Sequence, residues 1–280
     1  MIKLTYNDGC RLGNRLYMYA AGRLLAKKLG LALYSDSLEG FPKTNEPVDG
    51  EFIEGPVEKV NGADPIPSWP DVECLKGRRI EIEHGFINSR YFMGDRDLIK
   101  SWLSGPPLMR VEPDDVLVSV RLREFVQLGI ALHPYYYTSV LERMAFKKLY
   151  LMTDDPENPY LDCLSKYNPE VIPGYGPEHF FKALAFRRVV MSNSTFCWWH
   201  VFLSDAWEVY LPMLNGYRCG SWCLDHLPAI DLRLDLPGVT HVYNVPNAGP
   251  FPMCLGPTDE QRVEAMAYGK HSKAFFLEPM

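Results

Sequence analysis

Four polar stretches in this 280-residue chain each follow a predicted strand and precede a predicted helix. The first, "NDGCRLGNR" at 7–15, carries Asp8 and Asn14 around the spacing Gly9-x-x-x-Gly13. A glycine-bearing loop at a helix start offers backbone N–H groups and a positive dipole end to an anion, although a plain tight turn uses glycine in the same way. The spacing is neither that of a dinucleotide fingerprint nor that of a Walker loop. Arg121 and Arg123 come next, two apart at the end of a strand read as 116–122, so the pleat predicts that both point to one face. A pair of guanidinium groups at a strand end suits a pyrophosphate, and a surface ion pair with Glu124 is the competing reading. In "MTDDP", Asp154 and Asp155 stand where carboxylates accept from ribose hydroxyls or a base edge, or cap the following helix. No third acid lies near them, so a divalent metal site is not expected. Asn193, Ser194 and Thr195 follow "RVVM" and cap the next helix, whose amide end can also face an anion.

Other chemistry-bearing residues make weaker patterns. Cys219, Cys223 and His226 have the side chains of a zinc site without a fourth ligand or paired C-x-x-C spacing. His133, His179 and His200 are isolated, which favours structural roles. Trp198 and Trp199, in a run with Phe196, Val201, Phe202 and Leu203, read as packing of the helix they belong to and only secondarily as a sugar-stacking surface.

The elements that position these residues alternate between strand and helix. Residues 2–6 read as a strand, 12–29 as a helix with one apolar face ended by Gly30, and "LALYS" as a second strand. The segment 39–78 is rich in Gly, Pro and acids with no sustained periodicity and reads as loop. "RRIEIEHGF" is a strand and "DRDLIKSWL" a helix; "SGPPLMRVEPDD" is turn-rich and marks the boundary between lobes 1–110 and 111–280. Beyond it come strands at 116–122, 148–153, 170–172, 188–192 and 208–212, and helices at 134–144, 156–167, 177–186 and 193–204. A late helix is expected at 258–270. This alternation predicts an α/β protein with parallel sheets covered by helices on both faces.

Composition bounds the class. With 47% hydrophobic and 23% charged residues the chain can bury a large core, and a net charge of −6 argues against broad nucleic-acid binding. The opening residues do not form the apolar core of a secretory leader, and no run reaches about 18 apolar residues, so no membrane span is expected. Seven scattered cysteines suit reduced thiols, and a cytoplasmic protein is expected.

In order along the chain, six of these segments resemble the α-1,2-fucosyltransferase family and, more loosely, the group that includes protein O-fucosyltransferases. "GCRLGNRLYMYA" is similar to the family's G-G-L-G-N-Q-x-F-Q-Y-A, "GFINSRYF" to G-Y-x-Q-S-x-x-Y-F, and "VSVRLRE" to V-S-x-H-x-R-x-G-D. "HPYYYTSVLERM" resembles L-x-x-x-Y-Y-x-x-A-I, "LMTDDP" F-S-D-D-P, and "VVMSNSTFCWWHVFLS" I-I-A-N-S-T-F-S-W-W-G-A-x-L. The resemblance implies a GT-B glycosyltransferase with two Rossmann-like lobes, 1–110 on the acceptor side and 111–280 holding the nucleotide sugar. It further implies inversion at the anomeric carbon and no obligatory metal or other cofactor. By the same carry-over Arg123 neutralises the leaving diphosphate, Asn14 lies near the donor, and Ser194 and Thr195 face the phosphates. Arg121, Asp154, Asp155 and Asn193 complete the expected donor site. Arg121 replaces the family histidine, and Phe125 and Val126 replace its Gly-Asp pair, so the donor is GDP-fucose or another nucleotide sugar such as UDP-xylose. The acceptor is a glycan hydroxyl, with acceptor selection assigned to 39–78 and the region after 213. Asp8 is the candidate general base. A non-catalytic glycan- or nucleotide-binding module on the same fold is the alternative.

Overall fold

Five consecutive residues, Val116–Val120, have no side chain that must reach water, and all five are buried in a strand with neighbours on both sides. That strand lies in the second of two compact units, Met1–Pro106 with Asp225–Leu234, and Pro107–Leu224 with Asp235–Met280. The computed structural model describes residues 1–6, 10–61, 72, 74–84, 86, 87, 89–103, 105, 108–127, 131, 132, 134–174, 176–214, 218, 219, 234, 236 and 242–245. The expected helix at 258–270 lies outside the described residues. Among those described, no helix is long and apolar enough to cross a membrane.

In the first unit, β1 (Ile2–Leu4), β2 (Leu33–Tyr34), β3 (Val57–Asn61) and β4 (Arg79–His84) form a parallel sheet in the order β2-β1-β4-β3. Ile2 pairs with Leu33 on one side and Ile80 on the other. The helix α1 (Leu12–Leu29) carries the chain back between β1 and β2. It stops at Gly30, whose φ of 68° suits glycine and whose amide bonds to Ala26 O, while Lys27 and Lys28 stand at the negative end of its dipole. Gly22 lets α1 approach β1 closely, since a Cβ there would sit 2.7 Å from Leu4 Cδ2.

Two expectations are corrected in this unit. The helix does not bury a single face: every residue from Leu16 to Gly22 is buried. A second layer covers its outer side, where Tyr17 meets Phe92 at 5.4 Å and the Arg23 guanidinium lies 4.7 Å from the Trp102 ring of α2 (Arg96–Leu103). The segment 39–78 is not loop throughout. It holds a 3₁₀ helix, Pro42–Asn45, and the edge strand β3, whose "VEKVN" pairs on only one side and leaves Val57 exposed.

In the second unit the strands β5 (Val116–Val120), β6 (Leu149–Thr153), β7 (Glu170–Val171), β8 (Arg188–Val190) and β9 (Glu208–Leu214) run parallel in the order β7-β6-β5-β8-β9. Two further strands pair with β9, β10 (Arg218–Cys219) antiparallel and β11 (Val242–Val245) parallel. One face of the sheet, through Val116, Val118, Leu149, Leu151 and Val190, packs against Tyr137 and Val140 of α4 (Pro134–Leu141) and Tyr160 and Leu164 of a 3₁₀ helix, Pro159–Tyr167. The 3₁₀ helix replaces the helix expected at 156–167, starting one residue after the cap Asn158, whose side chain accepts from Tyr160 N. Alternate positions face the other way: Tyr150 meets Phe186 at 5.1 Å, and Ser119 bonds to Cys197 of α6 (Thr195–Leu203). With α5 (Gly176–Ala183) beside α6, helices cover both faces. The expected α/β class with parallel sheets is therefore observed in both units.

Candidate functional site

The chain leaves β5 on one side for β6 and β7, then returns to the other side of β5 for β8 and β9. Such a reversal opens a crevice at the carboxyl ends of the two central strands, here β5 and β8. The residues that follow those ends are the ones singled out in the sequence. Arg121 and Leu122 lead from β5 into the short helix α3 (Arg123–Gln127), and Met191, Ser192, Asn193 and Ser194 lead from β8 into α6.

Ser194 is the N-cap of α6. Its backbone is extended (φ −97°, ψ 139°), its Oγ accepts from Phe196 N at 3.2 Å, and its carbonyl accepts the first helical bond from Trp198 N. The positive end of the α6 dipole therefore lies at the end of β8. Behind this head every residue from Cys197 to Leu203 is buried, and all but His200 are apolar. Trp198 stacks on Phe202 with centroids 4.6 Å apart and planes 15° from parallel, and Trp199 meets both rings edge-on. With 0% exposure neither indole offers a face to a sugar; the pair fixes the helix axis and hence the position of its N-terminus. Ser194→Ala is expected to cost about 1 kcal/mol, the usual value of such a cap, measured as a lowered urea midpoint at unchanged slope.

On the β5 side the strand ends at Val120, so the pleat does not orient Arg121 and Arg123 together, and that expectation is corrected. Arg123 is the exposed first residue of α3. Arg121 turns instead to two carboxylates, with Nη1 2.9 Å from Asp154 Oδ2 and Nη2 2.5 Å from Glu124 Oε1, while its guanidinium lies 5.7 Å from the Phe125 ring. Asp154, at the end of β6, also accepts from Leu122 N through Oδ1 at 2.8 Å. Asp155 closes its own turn: its amide donates to Thr153 Oγ1, and its carboxylate accepts from Asn158 Nδ2 at 2.8 Å. The cap of the next helix is Asn158, not either aspartate.

Asn193 is buried and Thr195 half-buried at the start of α6. Asn14 stands in the other unit, half-buried in the first turn of α1, where Arg15 Nε donates to Cys10 O at 2.7 Å and its guanidinium lies 5.6 Å from the Tyr6 ring. Gly13 belongs to α1 itself, and Asp8, Gly9 and His133 lie outside the described residues. So do Cys223, His226 and the side chain of Cys219. Among the described residues no three His, Cys, Asp or Glu side chains converge to hold a metal ion.

Sequence reasoning passed over a polar cluster behind the α6 head. His200 is fully buried with Nε2 3.7 Å from Cys197 Sγ, and the thiol in turn has Ser119 and Ser192 beside it. Burial lowers His200 to about 3 and raises Cys197 to about 11. His179 on α5, also buried, is lowered to about 4 by burial and by Lys182. The signal was Ser119, a polar residue in the middle of an otherwise apolar strand. Comparison with protein-family models, curated proteins and solved structures finds no match to this chain.

Proposed function

We propose that this protein is an inverting glycosyltransferase of GT-B architecture that transfers a sugar from a nucleotide donor to a glycan hydroxyl. The observation that carries the reading is the switch point itself: Arg123 follows β5 and Ser194 follows the neighbouring β8, so a cationic residue and a capped helix N-terminus come after adjacent strand ends. The six ordered motifs support the same assignment and narrow it to a fucosyltransferase-like enzyme.

The chemistry follows from where charge develops. Departure of a nucleoside diphosphate builds negative charge on the bridging phosphate oxygen, and a guanidinium with the positive end of a helix stabilises it without a metal. Arg123 serves as the charge-stabilising residue, with Ser194 and Thr195 at the phosphates and Asn14 on the acceptor-side lobe. Asp8 is the proposed base for the acceptor hydroxyl, and the cytoplasm the proposed compartment. GDP-fucose is the first donor to test, followed by UDP-xylose, because Arg121, Phe125 and Val126 stand where the resembling family has histidine, glycine and aspartate.

The test is a thermal-shift and calorimetric panel of GDP, UDP and their sugars. A ligand at 100 times its Kd is expected to add about 2.7 kcal/mol of stability. Binding followed by donor hydrolysis or transfer supports the enzyme. Binding with neither identifies the alternative, a nucleotide- or glycan-binding module, and no binding at all overturns both.

A further inference from the structure

We propose that Arg15 makes the carboxyl end of β1 a binding site for an anionic group, and hence that the acceptor is a glycan carrying a carboxylate or a sulfate. The inference rests on the proposed function, since it gives the chemical class of that reaction's acceptor.

The first unit has a crevice of its own. From β1 the chain goes to β2 on one side and returns on the other side at β4, so the carboxyl ends of β1 and β4 mark a second reversal of strand order. Tyr6 lies two residues beyond the end of β1, Arg11 is the N-cap of α1, and Arg15 stands one turn further on.

The charges on α1 are not arranged for stability alone. A helix is stabilised by acids in its first turn and by bases in its last. α1 follows that rule at its C-terminus, with Lys27 and Lys28, and inverts it at its N-terminus. There the first turn has no acidic residue, the N-cap side chain makes no capping bond, and both Arg11 and Arg15 add positive charge. Like charge at the positive end of the dipole is unfavourable, and a bound anion converts it into attraction.

Arg15 is held in place without being neutralised. Its Nε donates to Cys10 O at 2.7 Å, and its guanidinium lies 5.6 Å from the centre of the Tyr6 ring. The residue is half-buried, yet among the described residues no carboxylate pairs with it and neither Nη finds an acceptor. The two titratable groups beside it do not supply the missing charge, because burial pushes the Tyr6 phenol and the Cys10 thiol up and both stay protonated at neutral pH. The outer edge of the guanidinium fork therefore remains for an incoming anion, and its geometry matches the paired oxygens of a carboxylate or a sulfate.

The same position is uncharged in the G-G-L-G-N-Q segment that "CRLGNR" resembles, where glutamine stands in place of Arg15. Arg15→Gln thus removes the charge and keeps an N–H donor of similar reach. The donor diphosphate is not the anion assigned to Arg15, since the proposed function already gives it Arg123 and the head of α6 in the second unit.

The experiment titrates the full chain by calorimetry with trigalacturonate, with galactotriose bearing one sulfate ester and with uncharged galactotriose, and in parallel with GDP and UDP. Wild type is expected to bind at least one acidic trisaccharide about tenfold more tightly than galactotriose, the usual worth of a charge-assisted hydrogen bond, and the tighter of the two tells carboxylate from sulfate. Arg15→Gln is expected to abolish this preference and to leave galactotriose and nucleotide affinities unchanged. Arg15→Lys, with the charge but not the fork, is expected to retain about a threefold preference. Equal binding of acidic and neutral trisaccharides by wild type, or binding of none, overturns the proposal, as does a preference that survives in Arg15→Gln. Weaker GDP or UDP binding in Arg15→Gln places the arginine at the donor and overturns it too. A wild type that binds neither nucleotide overturns the glycosyltransferase reading itself, whereas nucleotide binding without preference for an acidic trisaccharide overturns only this inference.

Discussion

Acidification from pH 8 to pH 5 is expected to remove about 4 kcal/mol from the stability of the second unit, about half of it through His179 and half through His200. Both imidazoles are buried, at 6% and 0% exposure, and burial lowers them to about 4 and about 3 from the ordinary 6.5. His200 faces Cys197 and His179, and His179 faces Lys182 and Glu178, so a proton on either ring gains little from its surroundings. Above pH 6.5 both rings are neutral whether the chain is folded or not, and they contribute no pH dependence. Below it the unfolded chain binds two protons that the folded chain refuses until pH 4 and then pH 3, so stability falls through that window by about 1.4 kcal/mol per pH unit for each ring. Urea unfolding between pH 5 and pH 8 measures this directly. His200→Leu should remove half of the slope, and a slope equal to wild type would show that His200 titrates normally in the folded state.

A loss of that size matters because whole domains are stable by only about 5–15 kcal/mol. It also falls on the element that carries the crevice. His200 lies nearly two turns behind the Ser194 cap, and Phe196, which donates its amide to that cap, has its ring 6.4 Å from His179 and 6.3 Å from His200. Acid unfolding of this unit should therefore abolish ligand binding along with structure.

Much of this architecture is legible in local patterns, and what is not has identifiable causes. The central strands β5, β6 and β8 are mainly apolar runs buried at every residue, and the cap Ser194 and the core of α6 stand together in ten consecutive residues. The edge strand β3 escapes because "VEKVN" needs to satisfy only one neighbour and can leave its polar residues in water. Burial around the whole of α1 escapes because it depends on Phe92 and Trp102, more than seventy residues away in sequence. At the site, reading β5 two residues too long rotated Arg121 onto the face of Arg123. The pairing of Arg121 with Asp154 joins the ends of two strands 33 positions apart, and nothing in either local motif specifies it. Residue type identified the candidates, but only the strand order brings Arg121 to Asp154 and leaves Arg123 exposed at the start of α3.

The role proposed for Arg123 makes Arg123→Ala the sharpest functional test. The variant is expected to lower donor hydrolysis or transfer by about 10²–10³-fold at saturating donor, the range seen when one donor to a developing oxyanion is lost. The reason is that the guanidinium is needed most when the sugar–phosphate bond is breaking, so the loss should appear mainly in kcat and less in KM. Arg123→Lys keeps the charge but not the planar fork that grips two phosphate oxygens, and is expected to recover about tenfold of the lost rate. Stability should stay within about 0.5 kcal/mol of wild type in both variants, because the side chain is exposed. An unchanged kcat in Arg123→Ala would remove Arg123 from the reaction. A fall in KM-limited rate alone would make it a binding group whose contribution is the same in the ground state and the transition state.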